Sequence, residues 1–313
     1  MPYLRTLKKE TPDMGKFRSG FITIIGRPNA GKSTLMNTIL EQKIAIVSDK
    51  PQTTQNKIRG FYTTDDAQLI FIDTPGIHKP KHKLGEFMNE AAKSAIGGVD
   101  VLFYIVDASQ PYGKGEEFII RSLPSETPVF LLLNKIDLME KDALFELIRE
   151  YSERFPFAEI VPVSALKADN VDHLLETVIS YLPEGPCYYP EDMVTDQPER
   201  AIMAEIVREK VLECTSDEIP HSVAVEMLEV KERPDGTVYA NAVIYTERES
   251  QKGILIGKKG EMLKRIGRLA RIEMERALGS KFYLELWVKV KKDWRNKDIY
   301  LRNFGFDKKM LED

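Results

Sequence analysis

The run Gly26-Arg27-Pro28-Asn29-Ala30-Gly31-Lys32-Ser33 matches G-x-x-x-x-G-K-[ST], a spacing whose chemistry is the holding of phosphate. Its glycines let backbone N–H groups close on phosphate oxygens, and the N-terminus of the following helix adds partial positive charge. In that arrangement Lys32 reaches the β- and γ-phosphates and the Ser33 hydroxyl ligates Mg²⁺, with Thr34 beside them. Asp73-Thr74-Pro75-Gly76 follows 40 residues after Ser33. There the carboxylate can hold the metal through water, and the Gly76 N–H can bind the γ-phosphate. In Asn134-Lys135-Ile136-Asp137, Asp137 is placed to accept from the N1–H and exocyclic amine of guanine, a pattern adenine does not offer. A buried carboxylate left unpaired by the wrong base is costly, so this residue selects GTP over ATP. Ser164-Ala165-Leu166 is expected to close over the guanine edge.

A second constellation lies far downstream. Ile254-Leu255-Ile256-Gly257-Lys258-Lys259-Gly260 places a G-x-x-G between two helical patterns, with Lys264 and Arg265 in the next turn. Paired glycines allow close passage of a nucleic-acid backbone, and such a loop clamps about four nucleotides. Lysines within it add attraction for phosphate. Gln251–Lys297 carries 14 Lys and Arg against 5 Asp and Glu, a local charge of +9 in a chain of net charge −4, so the remainder carries −13. One basic module on an acidic body is the asymmetry of a protein that meets nucleic acid with one part only.

These residues need elements to hold them. Apolar runs at 21–26, 69–74, 101–107, 129–135 and 159–165 read as buried strands. Helical periodicity fills 32–40, 84–96, 116–123, 142–154 and 171–181 between them, and 57–63 reads as a further edge strand. Near-continuous apolar strands alternating with helices predict an α/β fold with a doubly wound, mostly parallel sheet. The first constellation then sits at strand C-termini, where such sheets bind ligands. The stretch 182–199 has four prolines and no periodicity, and reads as a linker. Beyond it an amphipathic helix over 199–214 and strands over 223–230 and 238–245, joined at Pro234-Asp235-Gly236, lead to a short helix ending near Ile256. A helix over 261–278 and a strand over 281–291 complete an α+β order, αββααβ. The expected domains are an N-terminal extension (1–19), a nucleotide domain (20–182), a linker (183–199), a nucleic-acid domain (200–295) and a tail (296–313).

Composition narrows the classes further. The length of 313 residues, 42% apolar and 30% charged, fits two soluble globular domains. Cys187 and Cys214 have no metal-ligand spacing, and His78, His82, His173 and His221 form no ligand cluster. The first twenty residues lack a signal-peptide core, and no run approaches the ~18 apolar residues of a membrane span. A cytoplasmic protein acting as a monomer is the expectation.

The ordered motifs resemble translation-factor-type GTPases, and within them the Era family, from about Gly20 to Lys292. The resemblance implies a P-loop GTPase domain followed by a type II KH domain. It also implies hydrolysis of GTP to GDP and phosphate with Mg²⁺, catalysed around Lys32, Thr54 and Gly76. Gln52-Thr53-Thr54-Gln55 resembles the family's switch I, whose threonine completes the Mg²⁺ shell; Thr54 is favoured, with Thr53 open. Gln55 stands where members usually carry arginine. The implied partners are the 3′ end of small-subunit (16S) ribosomal RNA and the 30S subunit or its precursor, whose assembly such proteins assist. Ile254, Ile256, Gly257, Lys258, Lys259, Gly260, Lys264 and Arg265 are the expected RNA-binding residues.

Ile77 follows Gly76 where Ras-like proteins use a glutamine to orient water. Slow intrinsic hydrolysis follows, or another group places the water. Asn29 either caps its loop or helps bind a K⁺ ion that supplies charge to the transition state. The alternative from a different class is a membrane-associated switch whose basic face meets anionic lipid, peripheral on the inner face of the cell membrane. A protein with tandem G domains is opposed by the single P-loop, and an ATPase by Asp137.

Overall fold

The computed structural model describes residues 17–50, 53–77, 79–216, 219–220 and 222–311. Gln52 of the switch segment, His78, His221, most of the N-terminal extension and the last two residues of the tail lie outside the described residues.

The first domain alternates strand and helix: β1 (Arg18–Ile25), α1 (Lys32–Ile39), β2 (Ile58–Thr63), β3 (Ala67–Asp73), α2 (Lys83–Ser94), β4 (Val101–Asp107), α3 (Lys114–Ile120), β5 (Val129–Asn134), α4 (Lys141–Ser152), β6 (Glu159–Val163) and α5 (Val171–Tyr181). The strands lie in the order β2-β3-β1-β4-β5-β6, all parallel except the β2–β3 pair. Alternation along each central strand feeds two cores. Ile22, Ile24, Phe103, Ile105 and Leu132 point to one face, and Ile25, Leu102, Tyr104, Leu131 and Leu133 to the other. Such double-sided burial is why these strands read as continuous apolar runs.

The second domain runs α6 (Glu199–Cys214), β7 (Ala224–Glu232), β8 (Thr237–Thr246), α7 (Glu249–Ile256), α8 (Glu261–Leu278) and β9 (Lys281–Val290), followed by α9 (Asp298–Asn303). Its sheet has the order β7-β8-β9, with β7–β8 antiparallel and β8–β9 parallel. The inner face packs Ala240, Ala242, Phe282 and Val288 against Val207, Val211, Ile266 and Met274 of α6 and α8.

Three segments differ from expectation. The proline-rich stretch is an ordered strap along the sheet edge. Gln68 holds the backbone of Tyr188 and Tyr189, Tyr189 stacks on Phe61 at 4.0 Å, and the Phe61 N–H donates to the Val194 carbonyl. Edge strand β2 offers backbone groups on its outer side, and the strap meets two of them, the Phe61 N–H and, through the Thr195 hydroxyl, the Arg59 carbonyl. Helix α6 is more than amphipathic: Ile206 to Leu212 are all buried, charged residues included, because a second surface covers its polar flank. The tail is also no appendage. Its Leu301 and Phe306, with Trp294 just before it, join Leu84, Phe87, Met88 and Ala91 of α2 and Ala224, Val243 and Tyr245 of the sheet's outer face in one core between the domains.

Candidate nucleotide site and nucleic-acid interface

The loops after β1, β3 and β5, together with residues 46–49 and 53–54, line a cavity of about 330 Å³ bounded by Pro28, Asn29, Gly31, Lys32, Ser33, Thr34, Thr54, Gly76 and Lys135, among others. The P-loop needs its glycine at position 31. Gly31 has φ +103°, and a Cβ there would stand 2.1 Å from Asn134 Nδ2. Lys32 is buried and donates back to the Gly26 and Arg27 carbonyls at 3.3 and 2.9 Å. Burial lowers its amine from 10.5 to about 8, against the charge of Asp73, which raises it. Burial likewise raises the Asp73 carboxyl, opposed by Lys32 and by hydrogen bonds from Ser33 and Thr54.

Three oxygens converge beside the cavity. The Ser33 hydroxyl donates to Asp73 Oδ2 at 2.6 Å and lies 2.9 Å from Thr54 Oγ1, which itself donates to the same carboxylate oxygen at 3.3 Å. Asp73 Oδ1 is buried with no hydrogen-bond partner among the described residues. Two hydroxyls and one carboxylate, with an acceptor oxygen left over, are a hard-donor set suited to Mg²⁺ that keeps waters and phosphate in its shell. Between the two candidate threonines the geometry discriminates. Thr54 faces Ser33, whereas the Thr53 hydroxyl donates to the Lys50 carbonyl at 2.6 Å.

Several of the expected site residues have side chains that tie the loops together. Arg27 turns away from the cavity to Glu116 at 3.2 Å. Thr74 is buried with its hydroxyl on the Ile24 carbonyl at 2.8 Å, so it fixes β3 to β1. Asn134 is a tie: its amide donates to the Ala30 carbonyl at 2.7 Å and its oxygen accepts from Ala165 N–H at 2.9 Å. Ala30 and Pro75 serve through their backbone positions and are buried. Asp137 is exposed rather than buried, with Ser164 Oγ donating to it at 2.6 Å, and Leu166 beside it is 74% exposed. The cost of a wrong base therefore depends on cover supplied by the base itself. Ile77 is 8% exposed and packs with Ile25 and Ala92, turned into the core.

Residues that the sequence did not single out hold the switch segment from the other domain. Arg208 of α6, 2% exposed, bonds Glu205 through Nε at 2.8 Å and donates through Nη2 to the Thr53 carbonyl. The next residue, Glu209, accepts the Val47 N–H at 3.0 Å and pairs with Lys43 at 2.6 Å, which also reaches Glu273 of α8 at 2.9 Å. The only signal in the sequence is three consecutive charges, Arg208-Glu209-Lys210, in a helix otherwise spaced for a core. It does not reveal what they face.

In the second domain, Gly257 and Gly260 take φ values of +71° and +81°, and a Cβ on Gly257 would meet the Met262 backbone nitrogen at 2.9 Å. The loop they shape presents Lys258 and Lys259 to solvent, followed by exposed Lys264 and Arg265. Among the described residues none of the four has a carboxylate within ion-pair distance. Ile254 is 53% exposed and Ile256 half-buried beside them. An unneutralised cationic turn with apolar flanks suits a phosphate backbone and its bases.

A family model described as a 50S ribosome-binding GTPase matches residues 21–135, and a KH-domain model matches 218–295. The chain resembles the crystal structure of a point variant of Aquifex aeolicus Era bound to GDP·AlF₄⁻, with 43% identity and a TM-score of 0.90, over 93% of this chain and 99% of that one. Equal values relate it to an Era structure holding MgGDPNP and nucleotides 1506–1542 of 16S ribosomal RNA.

Proposed function

This chain belongs to the Era family of GTPases, and from that premise we propose that it is a switch binding the 3′ end of 16S ribosomal RNA to assist assembly of the 30S subunit. The chain hydrolyses GTP, and Mg²⁺ and GTP are the cofactor and substrate of its nucleotide site. The family description of its first domain refers to the large subunit. We give more weight to the full-length relative, which carries both domains and small-subunit RNA.

Chemically, the P-loop amides and Lys32 bind the β- and γ-phosphates, and Ser33, Thr54 and, through water, Asp73 would hold the metal. Mg²⁺ supplies Lewis-acid stabilisation of charge developing on the phosphoryl oxygens. Lys32 holds its proton once phosphate is beside it. Asp137 selects guanine. No side chain at position 77 can polarise water, and we propose that K⁺ held near Asn29 supplies the missing charge. The Asn29 amide donates to the Asp49 carbonyl at 2.6 Å and so ties the P-loop to the stretch leading into the switch segment, where such an ion would act. We propose the cytoplasm as its setting and a monomer as its acting form.

The observation that carries the RNA assignment is the exposed Lys258–Lys259 turn between glycines in the left-handed region. Changing both lysines to aspartate keeps the turn and reverses its charge. Binding of a single-stranded RNA from the small-subunit 3′ end should weaken strongly. The slope of log K against log salt should flatten by about 0.7 per lost phosphate contact. Retained RNA affinity in that variant, with binding to anionic liposomes lost, would favour the lipid-facing alternative instead.

A further inference from the structure

We propose that the outer face of β9 is a second RNA-contact surface, on which bases of a single strand leaving the Gly257–Gly260 groove stack against Trp287 and Tyr283. The inference rests on the RNA-binding reading above and extends it to the opposite face of the sheet. Alternation in β9 sends Phe282 and Val288 to the core, so Lys281, Tyr283, Glu285, Trp287 and Lys289 share the outward face. Tyr283 and Trp287 are each 54% exposed. Only part of this outer face is covered. At one end Val243, the register partner of Trp287, lies in the interdomain core, and the open aromatic surface begins at that border.

The chemistry of the surface favours nucleic acid. Tyr283 stacks on its cross-strand partner Tyr239 with ring centroids 6.0 Å apart, and the Arg233 guanidinium stands 4.9 Å from the Tyr283 ring. Lys281 and Lys289 flank the aromatic pair and are exposed. The one acid on the strip, Glu285, accepts from the Tyr239 hydroxyl at 2.6 Å and is held on the sheet. Aromatic rings interleaved with cations form the stacking platform and electrostatic track of sequence-tolerant single-strand binders. Four residues of strand separate Trp287 from Tyr283 by about 13 Å, so the two rings serve different nucleotides. β9 is an edge strand with α7 and α8 packed on its other face, so a strand leaving the groove reaches this surface by crossing one edge.

The protein supplies its own reporter. Of its two tryptophans, Trp294 is fully buried against Phe304 and Phe306, so a fluorescence change on adding RNA comes from Trp287. The full chain is titrated with a four-nucleotide RNA and with a twelve-nucleotide RNA containing it, both from the small-subunit 3′ end. The twelve-mer should quench Trp287. Trp287→Ala and Tyr283→Ala should each weaken the twelve-mer by roughly five- to hundredfold while leaving the four-mer unchanged, and Trp287→Phe should restore most of the loss. Absence of quenching, together with unchanged twelve-mer affinity in both alanine variants, overturns the proposal. So does unchanged RNA affinity with weakened binding to 30S particles, which would assign the surface to a protein. The groove reading fails separately, through unchanged RNA affinity when Lys258 and Lys259 become aspartate.

Discussion

Arg208→Ala should impair the GTP-bound switch without harming the fold. The arginine is buried in α6, where alanine is the better helix former, so the helix itself gains. Its guanidinium makes two kinds of contact that differ in what their loss costs. Glu205 is 33% exposed and recovers water when the arginine is gone. The Thr53 carbonyl loses a charged donor, and such a bond contributes about 2 kcal/mol. Thr53 immediately precedes Thr54, whose hydroxyl meets Ser33 and Asp73, so the loss falls on closure of the switch over the metal. Spread over that equilibrium, 2 kcal/mol is roughly 30-fold. Single-turnover GTP hydrolysis across a Mg²⁺ titration should therefore show a lower rate and a higher half-saturating Mg²⁺ concentration, together amounting to roughly 30-fold. GDP affinity and the thermal midpoint should stay near wild type, and Arg208→Lys should recover part of the loss. Wild-type hydrolysis and Mg²⁺ dependence in Arg208→Ala would refute the coupling of α6 to the switch.

Asp137→Asn exchanges an acceptor for a donor and should shift preference from guanine toward xanthine nucleotides; unchanged GTP affinity by nucleotide titration would remove Asp137 from base selection. Hydrolysis should run faster in K⁺ than in Na⁺ at equal ionic strength, with the difference erased in Asn29→Ala and Mg²⁺ dependence kept. Equal rates in the two salts would dismiss the ion. Burial lowers the Lys32 amine to about 8, so above that pH the ligand-free protein holds it largely neutral, and an arriving triphosphate raises it. GTP binding at pH 9 should then take up a proton, seen as a binding enthalpy that changes with buffer ionisation enthalpy, and Lys32→Ala should abolish the uptake. The same lowering makes the ligand-free fold gain stability as pH rises from about 8 toward 10.5, since the unfolded chain binds the proton more tightly there.

Much of this was legible because it depends on local pattern. The apolar strands of the first sheet, buried on both faces, and the motifs at their C-terminal ends are set by short-range spacing. What the sequence hid is partnership at a distance. Nothing in the proline-rich stretch shows that its backbone will bond to edge strand β2. Nothing near Trp294 shows that it will donate to the Ser222 carbonyl and pack against Phe306 beneath α2. The charges at 208–210 are hydrophilic by composition yet buried by context. Asp137, expected to be buried from the logic of its role, is exposed.

Two contacts tie the nucleotide domain to the KH domain: Arg208 and Glu209 of α6 bond the Thr53 carbonyl and the Val47 N–H, and α2 shares a core with the outer sheet face. Nucleotide state and RNA binding are therefore expected to be coupled. The most direct test is the affinity of the full chain for an RNA from the small-subunit 3′ end, measured with MgGDPNP and again with GDP. Coupling between sites of this kind is worth about 1–3 kcal/mol, so binding should be at least roughly fivefold tighter with MgGDPNP. Equal affinity in the two states would contradict the account.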